Sequence, residues 1–432
     1  MASRPAKKVL VPIVAGTEPV EATVPIDVLR RAGAHVTVAS ADGFGGLVVE
    51  AMYGVRIVAD ALVAPAAADD VDDSAAARFD LIVLPLILPS APPIMATPTS
   101  IDMYMQGGVP GAANLGGCAA LEAVVRRHAA TGGLYSAICA APPLALASWG
   151  LLDGRKATAH PLFVDKFPPE VAAVDASVVV DGSAVTSRGP ATSSEFALAL
   201  VEQLYGKGKA EQIAEEMLVK YEAGYTIDEV NSVQWKCNGT PKVLVPVANG
   251  TEEMELITIV DVLRRAEAAD VVVASAEDAA EVVARHGMRI VADTTLDEAA
   301  AAAGQTSFDL IILPGGTPGA KTMSSNEKLV ALLKKQAAAS KPYGAIGAAT
   351  AHVLEPHGLL EGKKAAVHPS MAAAGLPKDG AGEGEGEGSR VVVDGNVITG
   401  SSAGTAMEFA VAAVEKLLGR DVAQRVAEGL LF

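Results

Sequence analysis

Residues 7–32 read KKVLVPIVAGTEPVEATVPIDVLRRA, and residues 241–266 read PKVLVPVANGTEEMELITIVDVLRRA. Each opens on a short continuous apolar run, as parallel strands buried on both faces do. Each then turns through Gly-Thr-Glu into apolar residues at helical spacing, and each stops at Arg-Arg-Ala, with basic residues in the last turn. One strand–turn–helix unit is written twice, and this repeat organises the chain.

The distance between matched positions locates the changes. Glu21 and Glu255 are 234 apart, and Asp80 and Asp309 are 229 apart. Gly107–Gly315, Cys139–Gly347 and His160–His368 are all 208 apart, while Glu195 and Glu408 are 213 apart. The fall from 229 to 208 marks 21 extra residues in the first copy, LILPSAPPIMATPTSIDMYMQ (86–106). The later rise of five falls near GAGEGEGEGS (380–389) in the second copy. That tract is low-complexity and reads as a solvated loop. The expected domains are 1–221 and 241–432, joined by a linker at 222–240, EAGYTIDEVNSVQWKCNGT.

Within the first copy, HVTVAS (35–40), FDLIVLP (79–85) and LYSAI (134–138) read as further strands. ANLGGCAALEAVVRRHAA (113–130) and SSEFALALVEQLYG (193–206) read as amphipathic helices. Alternating strands and helices give the α/β class: a mostly parallel sheet, helices on both faces, right-handed crossovers. Such sheets place their sites at the carboxyl ends of the strands.

Composition sets the remaining bounds. The chain has 432 residues, half of them apolar and a fifth charged, enough for two or three domains of roughly 150–200 residues. A net charge of −17 argues against nucleic acid or anionic membrane as partner. No apolar run reaches the roughly 18 residues of a membrane span. The opening MASRPAKKVLVPIV enters a strand at once, without a signal core or transit segment. Three cysteines, Cys118, Cys139 and Cys237, suit a reducing compartment. The cytosol is the expected location, with the nucleus as alternative.

The chemistry gathers at YSAICAAPPLALASWGLL (135–152), whose repeat is YGAIGAATAHVLEPHGLL (343–360). Cys139 falls between a strand and a helix whose first turn holds Pro142 and Pro143. Small neighbours, Ala137, Ala140 and Ala141, permit a sharp bend like the nucleophile elbow of other α/β enzymes. A helix start there favours thiolate over thiol and offers the Ala140 N–H to an oxyanion. Glu18 and Glu21 lie three apart near the same strand-end edge, and a carboxyl beside a thiolate can share its proton. His160 is a second candidate acid–base group. The plainer alternative stays open: a packing cysteine, acids that merely suit a helix first turn, and a structural histidine. No paired CxxC or HExxH spacing suggests a metal. Cys118 and Cys237 have no carboxyl or histidine at a usable spacing.

GTEPVEATVPIDVLRRAGAHVTVAS, FDLIVLP, AICAAP, HPLFVDK and VTSRGPATSSEFALALVEQL, in that order, resemble the ThiJ/PfpI superfamily. The branch they resemble is the parkinsonism-associated deglycase group, in a tandem arrangement similar to plant members. The resemblance implies two flavodoxin-like α/β sandwich domains of the class I glutamine amidotransferase-like type. It implies a pseudo-dimer of the two repeats within one chain, with a homo-oligomer as a further expectation. It assigns Cys139 as the reactive cysteine, Glu21 as its carboxylic partner and His160 as the accessory histidine. Gly108 and Ala140 become the oxyanion hole. The corresponding second site, Glu255, Gly316, Gly347 and His368, lacks the sulfur, so covalent chemistry there is excluded.

The implied activity is cofactor-free, glutathione-independent conversion of methylglyoxal and related small 2-oxoaldehydes, or deglycation, in stress protection. The alternative is a non-enzymatic redox-sensing or chaperone-like protein acting through oxidation of Cys139. A peptidase or amidotransferase-like hydrolase ranks below both, because Ala140 stands where such members carry a histidine. The family pattern has LPGG directly after the strand. Here Leu86 follows Pro85, and Gly107-Gly108 arrive 21 residues later. The insert either loops out and returns the glycines, displaces the oxyanion loop, or is read-through of untranslated sequence.

Overall fold

The computed structural model describes residues 6–42, 46–63, 79–85, 118–220, 224, 227–237, 239–302, 308–371 and 389–432. The insert 86–106, Gly107, Gly108 and the Gly/Glu tract as far as residue 388 lie outside these. The chain divides into two compact units, Met1–Glu216 and Met217–Leu430.

The first unit holds a seven-stranded sheet: β1 Lys8–Ile13, β2 His35–Ser40, β3 Ala61–Leu62, β4 Leu81–Leu84, β5 Leu134–Ile138, β6 Val178–Asp181 and β7 Ala184–Ser187. Its order is β6-β7-β5-β4-β1-β2-β3. All neighbours are parallel except the β6–β7 hairpin. The chain winds from β1 outward through β2 and β3, then returns to the other side of β1 for β4. The topological switch therefore lies between β1 and β4, where open α/β sheets build their sites. Helices α1 Pro19–Arg31, α2 Ala119–Ala130, α3 Ser193–Tyr205 and α4 Lys207–Met217 complete the unit.

Strand alternation sorts the core into two faces. Leu10 of β1, Ile82 and Leu84 of β4, and Tyr135 and Ala137 of β5 pack with Leu121 and Val125 of α2. Helix α1 packs against α3. The Gly-Thr-Glu of the repeat has a defined role. Gly16 takes a positive φ of 80°, Thr17 Oγ1 accepts the Val14 N–H at 3.0 Å, and Glu18 caps α1. The turn thus closes the strand's last hydrogen bonds and the helix's first.

The second unit repeats this plan with one addition. Its strands are β8 Asp228–Val230, β9 Lys242–Val247, β10 Asp270–Ser275, β11 Thr294–Thr295, β12 Leu310–Leu313, β13 Tyr343–Ile346, β14 Val391–Asp394 and β15 Val397–Gly400. Their order is β8-β14-β15-β13-β12-β9-β10-β11. Its helices are α5 Glu253–Arg265, α6 Leu296–Ala302, α7 Thr317–Ser325, α8 Glu327–Ala338, α9 Ala406–Leu418 and α10 Arg420–Leu430. Thr251 Oγ1 accepts the Ala248 N–H at 3.0 Å, the same closure as at Thr17. Among the described residues, no helix is long and apolar enough to cross a membrane.

The addition, β8, comes from the connecting segment. It pairs in parallel with the edge strand β14, and the buried Trp235 donates from Nε1 to the Gly395 carbonyl at 3.0 Å. Both edge strands read Val-Val-Val-Asp, yet Val393 in β14 is fully buried while its counterpart Val180 in β6 is 45 % exposed. The segment between the copies therefore forms part of the second unit's core.

Trp149 and Trp235 are the chain's two tryptophans, one in each unit. Trp235→Ala should cost the second unit about 3–5 kcal/mol, read as a lower urea midpoint in far-ultraviolet circular dichroism. The fluorescence transition of Trp149 should move less. An unchanged dichroism midpoint would show that the connecting segment adds nothing to the core.

Candidate active site

Cys139 follows β5 directly and has φ 67°, a left-handed backbone that costs an L-residue roughly 1–2 kcal/mol. The turn is held from both sides. The Cys139 N–H donates to Ser187 O at 3.0 Å, and its carbonyl accepts the His160 N–H at 2.9 Å. The next element is shorter and wider than the sequence suggests. Pro142–Ala147 is a six-residue π-helical turn, so little macrodipole acts on the sulfur.

Glu21 meets the cysteine from the first turn of α1. Glu18 Oε2 accepts the Glu21 N–H at 2.6 Å, which fixes where the second acid begins. Glu21 is fully buried, Glu18 2 % exposed and Cys139 3 % exposed. The Glu21 side chain is hydrogen-bonded to the thiol.

Sequence reasoning expected a thiol pushed toward thiolate, and here the structure corrects it. Burial raises the Cys139 pKa well above its ordinary 9.0, and the charge and hydrogen bond of Glu21, then the charge of Glu18, raise it further. Only the Ala140 N–H acts in the other direction. Two full charges side by side in this environment are disfavoured. A proton on either partner relieves this opposition, so the titration of Cys139 belongs to the pair. A thiolate forms here when the proton sits on the carboxyl.

His160 is joined to the Cys139 turn through its main chain. Its Nδ1 accepts the Leu162 N–H at 3.2 Å, and its ring stands edge-on to Phe163 at 6.0 Å. With Nδ1 accepting, a neutral ring carries its proton on Nε2. The structure thus gathers Cys139, Glu21, Ala140 and His160, while Gly108 lies outside the described residues.

The second unit shows the same frame without sulfur. Gly347 has φ 55° and donates its N–H to Gly400 O at 2.9 Å, as Cys139 does to Ser187. The Glu255 carboxylate, 3 % exposed, accepts the Gly315 N–H at 2.6 Å. His368 Nδ1 accepts the Ser370 N–H at 3.2 Å. Of the glycine pair after the strand, Gly316 is the assigned site residue, and it is the Gly315 N–H that faces the carboxylate. The signal was its place directly after the strand. Gly316 serves space and backbone: at φ 87°, a Cβ there would lie 2.3 Å from Gly250 O and 2.5 Å from Glu252 N.

Comparison with known proteins extends to nearly the whole chain. The profile of the DJ-1/PfpI family matches residues 7–85, 101–203 and 241–416. Protein DJ-1 homolog B of Arabidopsis thaliana is 46 % identical over 427 residues, covering 98 % of this chain and 88 % of that protein. Protein DJ-1 homolog A of the same plant is 45 % identical over 428 residues, covering 98 % of each. Glutathione-independent glyoxalase DJR-1.2 of Caenorhabditis elegans is 32 % identical over 197 residues, covering 45 % of this chain and 87 % of that protein. With family matches in both copies and relatives aligned across almost its full length, this chain belongs to the DJ-1/PfpI family, as a tandem of two α/β domains.

Proposed function

We propose that the first unit is a cofactor-free, glutathione-independent glyoxalase acting on methylglyoxal and related small 2-oxoaldehydes. The observation that carries this reading is the Cys139–Glu21 pair: a cysteine kept in a left-handed turn and hydrogen-bonded to a fully buried carboxyl. The name of the Caenorhabditis elegans relative supports the reaction class.

The pair suits a reaction that starts and ends with one mobile proton. With the proton on Glu21, the Cys139 thiolate adds to the aldehyde carbon. A C–S bond forms, the carbonyl π pair moves to oxygen, and Glu21 protonates that oxygen beside the Ala140 N–H. The Glu21 carboxylate or His160 then takes the proton from this carbon, while the neighbouring keto oxygen gains one. Reprotonation at the second carbon, with the hydroxyl on the sulfur-bearing carbon returning its proton to the base, leaves a 2-hydroxyacyl thioester. Water cleaves the C–S bond, giving the 2-hydroxy acid and the thiol. Water is the sole co-reactant, and no electrons leave the substrate.

Wild type should convert methylglyoxal to lactate without glutathione, and Cys139→Ala should fall to background. Equal rates in the two proteins would end the reading. No turnover in either, with peroxide forming sulfinate at Cys139 ahead of Cys118 and Cys237, would favour the redox alternative.

Glu21→Gln keeps a hydrogen-bond donor but cannot pass a proton. Its kcat/KM should fall by about 10²–10⁴-fold, with the fold intact by circular dichroism. A fall of less than about tenfold would place the proton transfers on another group.

The shared proton also sets a pH dependence. The folded thiol ionises above its ordinary 9.0. Its contribution to stability is therefore present below that value and is lost as pH rises through the folded-state value. The urea midpoint of wild type relative to Cys139→Ser should be constant from about pH 6 to about pH 8 and fall by about pH 10. A flat difference would mean that the thiol ionises as readily in the folded chain as in the unfolded one.

A further inference from the structure

Apart from the sulfur, and among the described residues, the second unit keeps the turn, the following alanine and the histidine of the first unit's site. Its turn residue holds the left-handed conformation, with φ 55° at Gly347 against 67° at Cys139. Each turn is tied by its N–H to the end of the neighbouring strand. Ala348 stands where Ala140 stands, and its nitrogen lies 2.8 Å from the point where a Cβ on Gly315 would sit. His368 repeats the side-chain turn of His160, Nδ1 accepting an N–H two residues on at 3.2 Å.

The difference lies in what fills the space. A Cβ built on Gly347 would lie 2.6 Å from Glu255 Oε1 and 3.3 Å from its Cδ. The carboxylate has moved into the room of the absent side chain, and its other oxygen takes the Gly315 N–H at 2.6 Å. The obstruction is the far end of one flexible side chain, and the first unit shows the same frame accommodating a cysteine beside Glu21.

We propose that the second unit is a latent site for small 2-oxoaldehydes, closed by the Glu255 carboxylate lying in the room of the side chain that Gly347 lacks, and that Gly347→Cys alone reopens it. The substrate class rests on the glyoxalase reading of the first unit; the latent geometry does not. In the natural chain the closed site holds no nucleophile, so each chain has one reactive thiol of this kind. In the substituted chain the new sulfur forms and breaks the same C–S bond as Cys139, with Glu255 or His368 moving the protons.

The test uses the full chain carrying Cys139→Ala, with and without Gly347→Cys. The expected result is lactate formation at least about tenfold above the Cys139→Ala background, because a positioned nucleophile is what that background lacks. Iodoacetamide labelling, read by peptide mass spectrometry, should favour the new thiol over Cys118 and Cys237, and Glu255→Gln should change its rate. If wild type turns over while the folded double variant, its thiol intact and labelled, stays at background, the proposal is overturned. If wild type is itself inactive, the glyoxalase reading fails and labelling decides: no preference for the new thiol, or no response to Glu255→Gln, overturns the latent site. Should Gly347→Cys fail to fold, Gly347→Ala asks whether the frame accepts any side chain. A folded alanine variant supports the frame, and a second unfolded variant overturns it.

Discussion

The site depends on one backbone conformation, the left-handed residue at the end of the central parallel strand. At that point the chain must leave β5 and reverse sharply, and a residue with positive φ makes the turn. Glycine takes this conformation without steric cost, as Gly347 does. An L-residue loses roughly 1–2 kcal/mol by taking it. Cys139 therefore occupies a place where packing alone would favour glycine. A packing cysteine has no reason to stand in a strained turn, whereas a reacting sulfur gains a fixed position there. The difference between the copies is the difference between the residue this backbone prefers and one that it holds at a cost.

Around that turn the sheet topology supplies the rest. The acids follow β1, the cysteine follows β5, and β4 lies between them. These ends converge because β1 is the switch point of the winding, from which the chain runs first one way and then the other. The Gly-Thr-Glu turn then sets the acids by local bonds. Thr17 closes the strand, Glu18 caps the helix, and Glu21 is delivered one turn later with its N–H already bonded. The fully buried Glu21 carboxyl bonds a thiol buried almost as deeply. Each makes the other's ionisation harder, so the two act as one titrating pair.

The sequence carried the fold because its signals were repeated and local. Continuous apolar runs marked the strands, and LYSAI became β5 with its bounds unchanged. Cys139, Glu21 and Ala140 could be placed together because each follows a strand end by a short, fixed number of residues. The sign of the thiol's shift was not legible, since it depends on how completely three elements exclude water. The short π-turn was not legible either, because two prolines at a helix start say nothing of how the helix continues. Which glycine of the Gly315-Gly316 pair faces Glu255 was not legible, because two adjacent glycines look alike in sequence, though one gives its N–H to the carboxylate and the other has no room for a Cβ. The strand Asp228–Val230 was hidden by its length: three residues show no period, and its partner strand lies more than 160 residues further along.

Loss of the second sulfur then has a direction in free energy. Replacing a left-handed cysteine by glycine relieves backbone strain and removes a buried thiol that faces a carboxylate. The carboxylate left behind is not stranded, for it takes the N–H of Gly315, a charge-assisted bond of the kind that stabilises buried anions. Each change moves the second unit toward stability and away from reactivity, the exchange expected where strain at a site is maintained only by its use. The frame survives because the turn, the glycine pair and the Gly-Thr-Glu closure also hold the sheet ends together. What the second unit lacks is the one group of this frame that ties no strand or turn to another.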